Sequence, residues 1–336
     1  MNPPSISVII PCFNLGQYLD EAVESVLAQT RQDFEILIVD DGSTDPGTER
    51  LLAGYARPKT RVWRTTNRGL AAARNFLIER ATAKYLCALD ADDRLHPQYF
   101  ERALDAFASD PGLAFVSSWV QMFGEEDTVW RRDRCDLPAL LAEDTVMTAA
   151  LVRRDAVVAL GGYDERMPHQ GDEDWDLWIR LVRAGWRGTI LPETLFFYRR
   201  RPGSMSTCCT RGQVHLDLVR YLARKHADAY REHLREVLLS QDRRIAGLLR
   251  ATDALERERD GQLRTTRAAL EAELDRLSAR LASVSERRQG LWDLQEECER
   301  LRAEVAALRG SLTWRLTAPA RAAYDLIAAP FRRSRP

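Results

Sequence analysis

Short, largely apolar runs and helix-spaced apolar stripes alternate along the N-terminal part of the chain. The runs at 6–10, 34–39 and 85–89 have the length of buried strands, and 61–64 is a weaker one. Leu19, Ala22, Val23, Val26 and Leu27 recur at helical spacing, a stripe that faces a sheet. Gly42 permits a tight turn before a helix that Ser43 or Thr44 caps. Asn67-Arg68-Gly69 turns into a helix carrying Ala72, Phe76 and Ile78. Pro97 announces another helix, with Phe100, Ala103, Leu104 and Phe107. This alternation with short connections predicts an α/β fold with right-handed crossovers between parallel strands.

Beyond Phe107 the rhythm changes. Residues 114–117 and 146–152 read as further strands, separated by an Arg- and Asp-rich excursion at 130–136. A turn at 161–165 leads to Asp172-Glu173-Asp174, which opens a helix with the stripe Trp175, Trp178, Ile179 and Val182 and a stop at Gly185. Residues 195–198 read as a last strand, followed by a basic, Gly-containing loop at 199–206.

From about Gln213 the chain is dominated by Arg, Glu, Leu and Ala. Leu263, Leu270, Leu277, Val284 and Leu291 stand at seven-residue steps, with Leu274 and Leu281 at the alternate seam positions. The seam shifts phase near Arg288-Gln289-Gly290 and resumes as Leu294, Cys298, Leu301, Val305, Leu308 and Leu312. A narrow seam of this kind predicts a coiled coil, and self-association through it. In the last stretch Trp314, Tyr324 and Phe331 are interleaved with Arg315, Arg321, Arg332, Arg333 and Arg335, a mixture suited either to a membrane interface with anionic lipids or to partner docking. The expected division is therefore 1–212 as an α/β domain, 213–243 as a helical connector, 244–312 as a coiled coil and 313–336 as a basic amphipathic tail.

Composition changes this picture little. The formal net charge of -1 gives no global pull toward nucleic acid. The six cysteines lack metal-ligand spacing, which fits a reducing cytoplasm. The N-terminal MNPPSISVII is not a signal-peptide pattern, and no run reaches the ~18 apolar residues of a membrane-spanning helix.

The candidate chemistry begins where the strand at 85–89 ends. Asp90, Asp92 and Asp93 arrive together at the carboxyl edge of the expected sheet, the edge where open α/β sheets bind ligands. Asp90 and Asp92 are spaced to share one hard divalent cation with a substrate phosphate. The same acids could equally cap the following helix. No GxGxxG follows the first strand, so a nucleotide must be held without a dinucleotide-binding loop.

Six segments in order, SVIIPCFN, QTRQDFEILIVDDGSTD, NRGLAAARN, LDADD, GGYDE and GDEDWDLWIRL, resemble the family 2 glycosyltransferases of GT-A fold over roughly residues 5–207. The resemblance implies inverting transfer of a sugar from a nucleotide-diphospho-sugar, with Mg²⁺ or Mn²⁺ as cofactor. Asp90 and Asp92 would be the metal-binding pair, and Asp90 would also approach the donor. Pro11, Phe13, Asp41 and Arg74 would line the nucleotide site. Asp174 would be the general base, with Glu173 beside it as the substitute candidate. Many relatives carry a metal-ligating His where this chain has Arg201, and an arginine cannot ligate a metal but can hold the diphosphate. The acceptor expected is a glycan or a lipid-linked glycan. The SLTWRLTAP phrase resembles tails of bacterial surface-polysaccharide proteins, which implies a peripheral place at the inner face of the plasma membrane and assembly with partners. The alternatives are a nucleotidyltransferase, which needs no acceptor base, and an inactive transferase-like scaffold.

Overall fold

The computed structural model describes residues 4–202, 204, 212–285 and 296–307. The chain forms two compact units, Met1–Ser240 and Gln241–Pro336.

The first unit is built on one mixed sheet. Strands β1 (Ile6–Cys12), β2 (Phe34–Asp40), β3 (Thr60–Arg64) and β4 (Tyr85–Ala88) are parallel, with β1 between β2 and β4. Helices α1 (Gly16–Leu27), α2 (Pro46–Ala53) and α3 (Leu70–Ile78) make the crossovers. Every residue of β1 is buried, as an apolar run covered on both faces must be. Alternate residues feed two cores. Val8 and Ile10 pack with Leu19, Val23, Val26 and Phe100 on one face. Ile9 packs with Leu77, Trp178 and Leu181 on the other.

The remainder of the sheet departs from the parallel expectation. β5 (Arg94–Leu95), helix α4 (Tyr99–Ser109), β6 (Leu113–Gly124), β7 (Val129–Trp130), α5 (Leu137–Ala142), β8 (Leu151–Arg153), α6 (Arg154–Ala159), α7 (Glu173–Arg183) and β9 (Arg187–Arg200) follow in chain order. β8 lies antiparallel to both β4 and β6, β9 runs parallel to β6, and β5 pairs antiparallel to β9. The sheet order is β3-β2-β1-β4-β8-β6-β9-β5, with β7 on β6. Of the apolar run at 146–152 only the end is strand. The carbonyl of Ala149 instead accepts from Tyr99 Oη at 2.9 Å and Cys87 Sγ at 3.3 Å, so the run is a buried turn whose Ala149 carbonyl is satisfied by side chains.

This topology places the acidic turn. Asp90–Asp93 carries the chain from the centre of the sheet at β4 to its edge at β5, where Arg94 opposes Phe197 of β9. The end of β9 is thereby brought under the acids.

Helices α8 (Gly212–Lys225) and α9 (Ala227–Glu232) belong to this unit. Leu222 and Ala229 join the core around Trp178. Lys225 Nζ reaches Asp164 at 2.5 Å and Asp176 at 2.8 Å. His226 is buried between Asp176, 2.9 Å from Nε2, and Arg183, 3.0 Å from Nδ1. An arginine can only donate, so Nδ1 accepts and the Nε2 hydrogen points at Asp176.

The long helix α10 (Leu234–Ser285) contributes Val237 to the first unit. In the second unit Leu270, Leu274 and Leu277 of α10 pack with Cys298 and Leu301 of the helix at 296–307. These are residues of the sequence-read seam, and here the chain itself supplies their partner helix. Leu291, Leu294, Leu308, Leu312 and the tail at 313–336 lie outside the described residues, as do the side chains of Leu281 and Val284. No described helix is long and apolar enough to cross a membrane.

Candidate active site

The site grows from the carboxyl edge of β1, β2 and β4. At the end of β1, Pro11 is buried in the sheet while Phe13 is 43% exposed, an aromatic face open to a ligand. Asn14 takes positive φ (55°) and its Oδ1 accepts from the backbone N–H of Thr44 and Asp45, both at 2.8 Å, tying the β1 and β2 loops together. Helix α2 is capped by Asp45, whose Oδ2 accepts from Thr48 N at 2.7 Å, so the cap is neither Ser43 nor Thr44.

Asp41 is buried, and both of its oxygens are engaged. Oδ1 accepts from Arg68 N at 3.0 Å and Oδ2 from Gly69 N at 2.9 Å, which orients the loop before α3. Gly42 (φ 70°) sits against that loop, and a Cβ there would stand 2.5 Å from Asn67 N.

Arg74 on α3 is 1% exposed. Its Nη2 lies 2.7 Å from Asp90 Oδ1 and its Nη1 donates to Glu173 Oε1. The guanidinium stands over the Tyr163 ring, 5.3 Å from its centroid. Burial opposes its charge, and Asp90 and Glu173 more than restore it, so Arg74 stays firmly protonated. The structure thus places Arg74 as the link between the acidic turn and α7. Glu173 uses its other oxygen on Gly171 N at 3.0 Å.

Asp174, half-buried, accepts from Trp175 N at 2.9 Å through Oδ1. Burial, then the charge of Glu173, pushes its pKa up to about 8. Asp172, at positive φ (59°), is pushed up to about 6 by burial and by Glu173. Asp144 is held well above the usual carboxylate range by burial and then by Asp174 and Asp172. Trp175 belongs to the core, its Nε1 donating to Leu140 O at 2.5 Å.

At the acidic turn, Asp92 Oδ2 pairs with Arg201 Nε at 2.7 Å. Burial, with the neighbouring Asp90 charge, raises Asp92 despite that arginine. Asp93 is buried, its Oδ1 accepting from Arg199 N at 2.8 Å, while its Oδ2 has no partner among the described residues. Arg199 also donates from Nε to Asp92 O at 2.8 Å and from Nη2 to Glu21. Among the described residues no group of three or more His, Cys, Asp or Glu side chains could hold a metal ion. Asp90 and Asp92 still suit a cation completed by donor phosphate oxygens and water, the usual mode for Mg²⁺.

Sequence reasoning missed Asp144 and Glu21, which carry no local signal; Asp93, Tyr163 and Arg199 stood in the acidic triplet, the GGYDE segment and the basic loop, but their contacts in the site were not legible there.

A half-parallel sheet whose carboxyl edge joins an acidic turn to an acid-rich helix start is the GT-A arrangement of glycosyltransferases. The chain belongs to glycosyl transferase family 2, whose model matches residues 7–162. It is 31% identical over 205 residues to "Putative glycosyltransferase EpsE" of Bacillus subtilis (strain 168), covering 58% of this chain and 73% of EpsE. It is 29% identical over 209 residues to "Putative teichuronic acid biosynthesis glycosyltransferase TuaG" of the same organism, covering 61% of this chain and 82% of TuaG. In structure it resembles S. aureus TarS 1-349, crystallised in complex with UDP-GlcNAc. The TM-score is 0.56 at 17% identity, covering 70% of this chain and 71% of that one, which bears on the fold alone.

Proposed function

We propose that the protein transfers a sugar, with inversion, from a nucleotide-diphospho-sugar to a glycan or lipid-linked acceptor in surface-polysaccharide biosynthesis. The observation that carries this reading is the buried Arg74 bridge, which ties Asp90 of the acidic turn to Glu173, the neighbour of Asp174. A scaffold without activity has no need of such a constraint. TuaG, a putative teichuronic acid biosynthesis glycosyltransferase, supports the pathway class, and the UDP-GlcNAc complex of TarS supports the donor class.

Phe13 would stack on the nucleoside, with Pro11 and Asp41 shaping its pocket. Asp90 and Asp92 would hold Mg²⁺ or Mn²⁺. When bound, that cation supplies Lewis-acid neutralisation of the departing diphosphate. Arg201 would add charge-assisted hydrogen bonds to the same diphosphate. Asp174 would take the proton from the acceptor hydroxyl as its oxygen attacks the anomeric carbon. A carboxylate raised to about 8 is a stronger base than an ordinary one, although only about a tenth of it is ionised at pH 7 and more as the pH rises. Glu173, spent on Arg74 and Gly171, orients the pair. The reading extends to self-association or partner assembly through the C-terminal helices and to peripheral membrane contact by the tail at 313–336.

The test is a panel of nucleotide sugars incubated with Mn²⁺ and the full chain. Release of nucleoside diphosphate from one of them is expected. Release of pyrophosphate would favour nucleotidyl transfer, and no turnover of any donor would favour a scaffold.

A further inference from the structure

Both carboxylates of the acidic pair already hold an arginine, but the two arginines are held differently. Arg74 is buried and fixed on two sides, by Asp90 and Glu173. Arg201 follows the end of β9, a quarter exposed, and among the described residues its side chain meets Asp92 through Nε at 2.7 Å and the Tyr18 ring 5.9 Å away. Its neighbour Arg199 is the opposite case, pinned by Asp93, Asp92 O and Glu21 and packed on the rings of Tyr18 and Phe123. The framework of the turn therefore rests on Arg199, and Arg201 can leave without dismantling it.

We propose that Arg201 is a built-in stand-in cation for Asp92, which occupies the carboxylate in the donor-free site and competes with the divalent cation for it. The inference rests on the reading that Asp90 and Asp92 hold the metal. Asp92 is 87% shielded from solvent and lies beside Asp90, so it needs a counter-charge at all times. A metal arriving alone must displace Arg201 and leave that guanidinium without its anion. A diphosphate arriving with the metal offers the planar guanidinium of Arg201 a doubly charged, bidentate replacement. Linkage then makes metal and diphosphate favour each other's binding by the same factor. A histidine at this position could join the metal's ligands, whereas the arginine opposes the metal until the donor is present.

The experiment measures Mn²⁺ binding to the full chain without nucleotide, by the electron paramagnetic resonance signal of the free ion. Arg201→Gln is expected to bind Mn²⁺ about tenfold more tightly than wild type, and Arg201→Lys, which keeps the charge, to stay near wild type. Arg201→Met repeats the charge-removing arm should the glutamine variant fold poorly. Adding Asp92→Asn to Arg201→Gln should abolish the gain. Charge-removing variants that bind Mn²⁺ no more tightly than wild type, while Asp92→Asn still weakens binding, would overturn the competition alone. Mn²⁺ binding indifferent to Asp92→Asn in both backgrounds would overturn the metal placement itself.

Discussion

The buried guanidinium of Arg74 donates from Nη2 to Asp90 Oδ1 across 2.7 Å, tying the end of the fourth parallel strand to the helix behind it. Since the same group also holds Glu173, removing it strands two carboxylates. Arg74→Met should cost about 3–5 kcal/mol of unfolding free energy in urea denaturation. Adding Glu173→Gln should return part of that loss, because one unpaired buried charge is then gone. A single variant as stable as wild type would show that the pair is not a constraint.

Asp174→Asn should lower turnover by a factor on the order of 10² or more while leaving donor affinity near wild type. It should also stabilise the fold, with a defined pH dependence. The folded-state pKa of about 8 lies above the ordinary carboxylate value, so the folded state binds this proton more tightly than the unfolded chain. Stability is therefore lost as pH rises from the ordinary value toward about 8. Melting curves should coincide at pH 3.5 and separate in favour of Asp174→Asn by pH 8. Equal curves at both would mean that the carboxylate is not held in an unfavourable site.

Phe13 is exposed, so Phe13→Ala should leave the melting temperature nearly unchanged and raise the KM for the donor several-fold. An unchanged KM would remove Phe13 from the nucleoside pocket.

A chain ending at Ser240 should keep the fold and the release of nucleoside diphosphate. One ending before Gly212 should not, since it removes Leu222 and Ala229 from the core around Trp178 and leaves Asp164 and Asp176 without Lys225. Burial alone would raise Asp164, but Lys225, Tyr221 and Arg166 hold it well below the usual carboxylate range. Its contribution is present above the ordinary value and fades as pH falls toward the depressed one. Lys225→Met should accordingly lower the melting temperature more at pH 7 than at pH 3.

The parallel half of the sheet was legible because β1, β2 and β4 are buried almost throughout and their runs at 6–10, 34–39 and 85–89 are apolar apart from Ser7 and Glu35. The acidic turn and the acids of α7 were legible because charge follows each apolar segment abruptly. The mixed half was not. β5 is two residues long, and the run at 146–152 gives the same apolar signal whether it is strand or buried turn. The pairings of Arg74 with Glu173 and of Arg201 with Asp92 were also hidden. They span 99 and 109 residues, a distance over which periodicity carries no information. The leucine seam was visible, but its periodicity does not say whether it closes on its own chain or on another.

The most direct test follows a turned-over nucleotide sugar by proton and phosphorus NMR, with Mn²⁺ and acceptor present. The account predicts nucleoside diphosphate as the phosphorus product and a sugar whose anomeric configuration is opposite to that of the donor. Pyrophosphate, or a product with the donor's configuration retained, would contradict it.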